Sequence, residues 1–81
     1  MRTPTIHLNG TGKKMLLEGY ENAYHAILEA ENALGKVEFN ARDYYPQGDG
    51  AWSEAIKEMD ERFTSLAKIK KEIGNILESI D

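Results

Sequence analysis

The chain contains no cysteine, which excludes a disulfide framework and any cysteine-built zinc site. No apolar run approaches the length of a transmembrane span, and the opening Met1-Arg2-Thr3-Pro4 lacks the apolar stretch of a secretory signal. A cytoplasmic protein with no membrane contact is the expectation. An excess of positive charge is missing too. The formal net charge is −4, so general nucleic-acid binding, which needs a basic face to displace counterions, is not expected. Catalytic pairings are also lacking: Ser53, Ser65 and Ser79 fall on a predicted helix with no histidine beside them. Nothing in the pattern of carboxylates would raise a pKa for acid–base work. The sequence therefore predicts a non-catalytic protein that uses neither a cofactor nor a metal.

What is present is helix. With 81 residues the chain is a single domain (1–81), near the size at which one core barely suffices. The sequence predicts an all-α fold: an antiparallel two-helix hairpin with a short N-terminal extended segment, completed by oligomerisation. Residues 1–12 form the arm and turn, 13–34 the first helix, 35–50 a loop and 51–80 the second helix. In the arm, Thr3, Thr5 and Ile6 are β-branched and read as extended chain. Asn9-Gly10-Thr11-Gly12 reads as a turn, with Thr11 as the N-cap.

On the first helix, Leu16, Tyr20, Ala23, Ile27, Ala30 and Leu34 form one stripe, and Leu17, Tyr24 and Leu28 a second beside it. Gly35 is placed to end the helix in a left-handed turn. Pro46, Gly48 and Gly50 break the loop, and Asp49 is the expected cap of the second helix. There, Trp52, Ile56, Met59, Phe63 and Leu66 start a seam that Ile73, Leu77 and Ile80 continue, with Ile69 and Ile76 as an extra row. Lys57 with Glu61 and Glu58 with Arg62 are expected i,i+4 pairs. The rows outnumber one seam, which is why a homo-oligomer is expected.

Two segments carry candidate binding chemistry. Asn9, Gly10, Thr11, Gly12, Lys13 and Lys14 combine a helix N-terminus, a hydroxyl and two cations, a set suited to an anion. Lysines in a first turn oppose the helix macrodipole, so a local rule is broken there. If Leu34 lies beside Trp52, Lys14 falls near Glu72 and Lys68, Lys70 and Lys71 join the same pole. The bland alternative is that these lysines only solvate a helix end.

The second segment is the loop with Asn40, Arg42, Asp43, Tyr44, Tyr45 and Gln47. Arg42 can fork onto phosphate, and a tyrosine can stack on a base or anchor a protein. Alternatively Phe39 and one tyrosine cap the open end of the hairpin, and Arg42 bridges to Asp43 or a helix end. The two segments are expected roughly 33 Å apart, at opposite ends of the first helix. They share a site only between protomers. Glu21, His25 and Glu29 line one helix face, but chance surface polarity accounts for them better than a metal edge. His7 reads as a packing or hydrogen-bonding residue.

The motifs Ile6-His7-Leu8-Asn9-Gly10-Thr11 and Asn40-Ala41-Arg42-Asp43-Tyr44-Tyr45-Pro46-Gln47-Gly48, separated by one helix, resemble those of a group of small phage and prophage accessory proteins. The resemblance covers nearly the whole chain and implies a product that acts in the cytoplasm of a bacterial host. By analogy with small oligomeric phage proteins, it points to a binding protein that counters host defence. A nucleotide immune signal, cyclic or ADP-ribose-like, is the first expected partner. A host protein held by the hairpin, or a role in virion assembly, is the alternative.

Overall fold

The computed structural model describes residues 1–80 and is an antiparallel helical hairpin. Helix α1 spans Lys13–Gly35 and α2 spans Ala51–Ile80. Among the described residues there is no strand. The arm holds no regular structure before a turn in which the Gly10 N–H donates to the His7 carbonyl at 3.1 Å. That turn begins two residues earlier than the sequence suggests. The arm does not cover the helices: Leu8 is 98% exposed.

Three expected helix ends are set differently. At the start of α1 the Gly12 carbonyl accepts from the Leu16 N–H at 3.1 Å. Gly12 is thus the N-cap rather than Thr11, and no side chain caps it. At the other end Gly35 stays helical, and Lys36 closes the helix in a right-handed conformation (φ −92°, ψ −5°). The Lys36 and Val37 N–H groups donate to the Ala33 and Leu34 carbonyls, so i→i+3 bonds finish the last turn and no left-handed residue is needed. For α2, the Gly50 carbonyl accepts the Glu54 N–H at 3.0 Å, which puts Gly50 and not Asp49 at the cap. Gly48 and Gly50 carry φ values of 108° and 87°, a region that costs any residue with a Cβ.

The helices pair in a register the sequence did not suggest. Lys70 Nζ donates to Glu31 Oε1 at 2.8 Å, and the Tyr24 ring lies beside Gly74, where an added Cβ would sit 3.6 Å from it. With Leu34 beside Trp52, Lys70 would lie level with Leu16; it is about four helical turns away from that level. The physical reason lies in two features. The second half of α2 carries the doubled isoleucine rows and offers α1 more apolar surface. The loop is also long enough to run onward along α2 instead of reversing at once. It contains two 3₁₀ turns, Ala41–Asp43 and Tyr45–Gln47, and the second packs on α2. The N-terminal half of α2 therefore overhangs α1 and is covered by the loop.

The covering is thin. Among the described residues only Ala55 and Ile80 are buried, each 6% exposed, and no large side chain is fully enclosed. Ile56, expected in the seam, is exposed; Ala55 takes the inner position on the side the loop covers. The molecule is a rod 60 Å long with a radius of gyration of 18.3 Å, against about 12 Å for a compact domain of this length.

Candidate functional site

At the base of α1, glycine permits the local geometry. The imidazole of His7 lies over Gly10, where a Cβ would stand 2.7 Å from Nε2. Any side chain at position 10 would have to displace that ring. The chain then enters α1 extended at Gly12 (φ −63°, ψ 151°), with no acidic residue in the first turn. The first-turn N–H groups are left without a side-chain partner, and Lys13 and Lys14 are exposed beside them. This arrangement can attract an anion through both the N–H groups and the two charges. Lys14 reaches Glu18 at 4.0 Å, but both side chains are exposed and the pair adds little. Asn9 and Thr11 are exposed as well.

The wider basic pole does not assemble. Lys70 is held by Glu31, about 25 Å along α1 from Lys14, and Lys68 and Lys71 go with it. Among the described residues the ion pairs are Lys14–Glu18 and Lys70–Glu31; the expected Lys57–Glu61 and Glu58–Arg62 pairs do not close. The hydrogen bond to Glu31 raises the Lys70 pKa above the ordinary lysine value, and partial burial works against it. The signal of this pair is legible in the sequence. Glu31 extends the row of Leu17, Tyr24 and Leu28, and Lys70 falls between Leu66 and Ile73, so each charge occupies a seam position.

In the loop, Phe39 and Tyr44 turn toward Trp52 of α2. Phe39 packs on Trp52 with ring centroids 4.8 Å apart and the planes tilted by 45°, and Tyr44 closes the triangle at 5.7 Å from each. This is the capping alternative, with Tyr44 as the tyrosine. Tyr44 is half-buried by its contacts with these two rings. Tyr45 is 68% exposed, and Arg42, Asp43 and Gln47 are exposed beside it, whereas Asn40 is half-buried. Arg42 forms no ion pair with Asp43. Hydrogen bonds from the Asp43 and Gln47 N–H groups to the Asn40 and Tyr44 carbonyls, both within 3.1 Å, hold the loop in shape.

The two segments are not brought together. Adding the rise from Lys14 to Glu31 and from Lys70 to Trp52 separates them by about 50 Å along the rod, more than the sequence suggests, because the loop rides on the overhang. The larger surface hollows lie elsewhere. They run along α2 past Ser53, Lys57 and Glu61 and past Glu58, Arg62 and Ser65, lined by residues of that helix alone. Glu21, His25 and Glu29 are exposed on α1, and among the described residues no three acidic or histidine side chains converge in a metal-holding group. No helix of the described residues is long and apolar enough to cross a membrane. Comparison with protein-family models, with curated proteins and with solved structures finds no match.

Proposed function

We propose that the chain is a phage-type accessory binding protein that counters host defence by sequestering a phosphate-bearing nucleotide signal, cyclic or ADP-ribose-like. The observation that carries this reading is the uncapped, acid-free first turn of α1 with Lys13 and Lys14 beside it. Natural helices put Asp or Glu there to satisfy the N–H groups and the dipole. A chain that puts two lysines there instead keeps the position open for an anion from outside. The phage origin rests on the resemblance of the Ile6–Thr11 and Asn40–Gly48 motifs to those of phage accessory proteins. Arg42 and Tyr45 are a separate contact surface at the far end of the rod, where the guanidinium can take phosphate and the exposed ring a base.

Thermal melting in the presence of cyclic di- and trinucleotides and of ADP-ribose tests the proposal. A binder at a hundred times its Kd stabilises the folded chain by about 2.7 kcal/mol, a rise in Tm on the order of 10 °C for a domain of this size. Lys14→Ala should abolish the shift, and Arg42→Ala should leave it in place if the α1 turn acts alone. Unchanged melting curves across the whole panel would sink the reading. The second reading, a hairpin that grips a host protein, is favoured by the exposure of Tyr45 and Val37 on the loop surface. A stoichiometric host protein that a Tyr45→Ala variant fails to retain would support it.

A further inference from the structure

One side of the hairpin is apolar across both helices. On α1 it presents Gly19, Ala23, Ala26 and Ala30, of which Gly19, Ala26 and Ala30 are exposed. On α2 it presents Ile69, Ile73 and Ile76, the last two half-buried, while Ile80 at the end of the same row is already buried. Ile69 is 46% exposed. The rows flank the same side of the seam, since Gly19, Ala23 and Ile73 line one apolar groove of about 270 Å³ with Met15, Leu16 and Tyr20. Each row advances by four, three and four residues, and they run in opposite directions. The register fixed by Glu31–Lys70 and Tyr24–Gly74 sets each isoleucine level with a small residue to within about half a helical turn. The face is thus a furrow beside a ridge. No charged residue falls within the furrow.

We infer that a second copy of this chain docks on this face, with the furrow of each copy receiving the ridge of the other. The occupant follows from shape and area. A two-fold axis parallel to the helices lays α1 of one copy on α2 of its partner, antiparallel, and fits ridge to furrow twice. A two-fold axis across the helices would set furrow on furrow and ridge on ridge, leaving a gap along one pair and a clash along the other. The chain exposes 6385 Å², against about 4,900 Å² for a compact monomer of its mass. The surplus, about 1,500 Å² over the whole rod and its exposed arm, leaves room for the roughly 800 Å² per partner of a standard interface. A chain with only two buried residues among those described also needs a partner present wherever it folds, and another copy meets that need. The product is an antiparallel four-helix bundle. Both α1 helices start at the same pole, so the Lys13–Lys14 turns of the two copies lie side by side and both loops occupy the opposite pole. The two candidate segments stay apart in the dimer as well.

The inference stands independently of the proposed ligand. Its test uses the full chain and its lack of cysteine. Light scattering should give a mass of at least twice 9.1 kDa. Ala30→Glu, a good helix former in an exposed position of the single chain, should bring the mass down to one copy, whereas Asn32→Glu on another face should leave it unchanged. Because Ala30→Glu can fail by unfolding, a second measurement is made on gentler variants. Ala30→Cys and Ile69→Cys chains, one carrying a mass tag, are unfolded together, refolded and oxidised. The mixed disulfide between Ala30→Cys of one copy and Ile69→Cys of the other should be the major product. A monomer at micromolar concentration, an Ala30→Glu variant of undiminished mass, or a dimer giving no mixed disulfide would each overturn the arrangement.

Discussion

The two halves of α2 are covered by different means. From Leu66 to Ile80 it is matched by α1, row against row, and locked by the Glu31–Lys70 pair. From Ala51 to about Phe63 it has no helix beside it and is covered by a loop whose only large anchors are Phe39 and Tyr44 on Trp52. A helix pair spreads its packing over many small increments, whereas a folded loop concentrates it in a few aromatic contacts and in backbone turns. The first half of α2 should therefore fail at single points and the second should degrade gradually.

Trp52→Ala offers the sharpest break in that comparison. Removing the ring that both other aromatics touch should cost about 2–4 kcal/mol, read as a lowered denaturation midpoint by circular dichroism. Amide exchange should accelerate from about residue 51 to 62 while the stretch from 66 to 80 keeps its protection. Equal acceleration in both stretches would mean that the halves are not distinct. Gly50→Ala is next. At φ 87° an alanine should cost about 1–2 kcal/mol and fray the start of α2. Gly74→Ala should do the opposite. Gly74 is helical, and the new methyl would meet Tyr24 at an ordinary 3.6 Å, so the chain should gain about 0.5–1 kcal/mol. A loss of stability there would show that α1 and α2 sit closer than described.

The smallest effect concerns pH. Lys70 is a base whose pKa is raised in the folded chain by its hydrogen bond to Glu31. Its contribution is complete at every pH below the ordinary lysine value and disappears as pH rises through the raised one. Between neutral pH and pH 9 stability should not change on this account, and a Lys70→Met variant should lack the alkaline loss seen in the parent chain. An identical alkaline profile in both would show that the pair contributes nothing.

Much of the hairpin could be read from periodicity. The stripes of α1 through Leu16, Tyr20, Ile27 and Leu34, and the long run from Trp52 to Ile80, each repeat at helical spacing, and the structure has both helices within a residue of the expected bounds. The candidate segments were legible only as residue types. Arg42 and Tyr45 are exposed, but which tyrosine would turn inward depended on how the loop folds back on Trp52 of the next helix. Each helix is capped one position beyond the residue whose side chain could cap it, because Thr11 or Asp49 caps only if the backbone puts it there. Gly12 and Gly50 hold those positions instead.

By itself the sequence determined the absences and the local order: no cysteine chemistry, two helices, a loop rich in breakers and two lysines against a helix dipole. These follow from the composition of each segment, and no other part of the chain needs to be known to read them. Only the tertiary structure decided the register. Sliding α1 along α2 leaves every local preference satisfied, so the choice fell to which apolar rows meet and where Glu31 finds Lys70. That choice dispersed the expected cluster of lysines, sent the loop over the overhang, and set the small residues of α1 beside the isoleucines of α2.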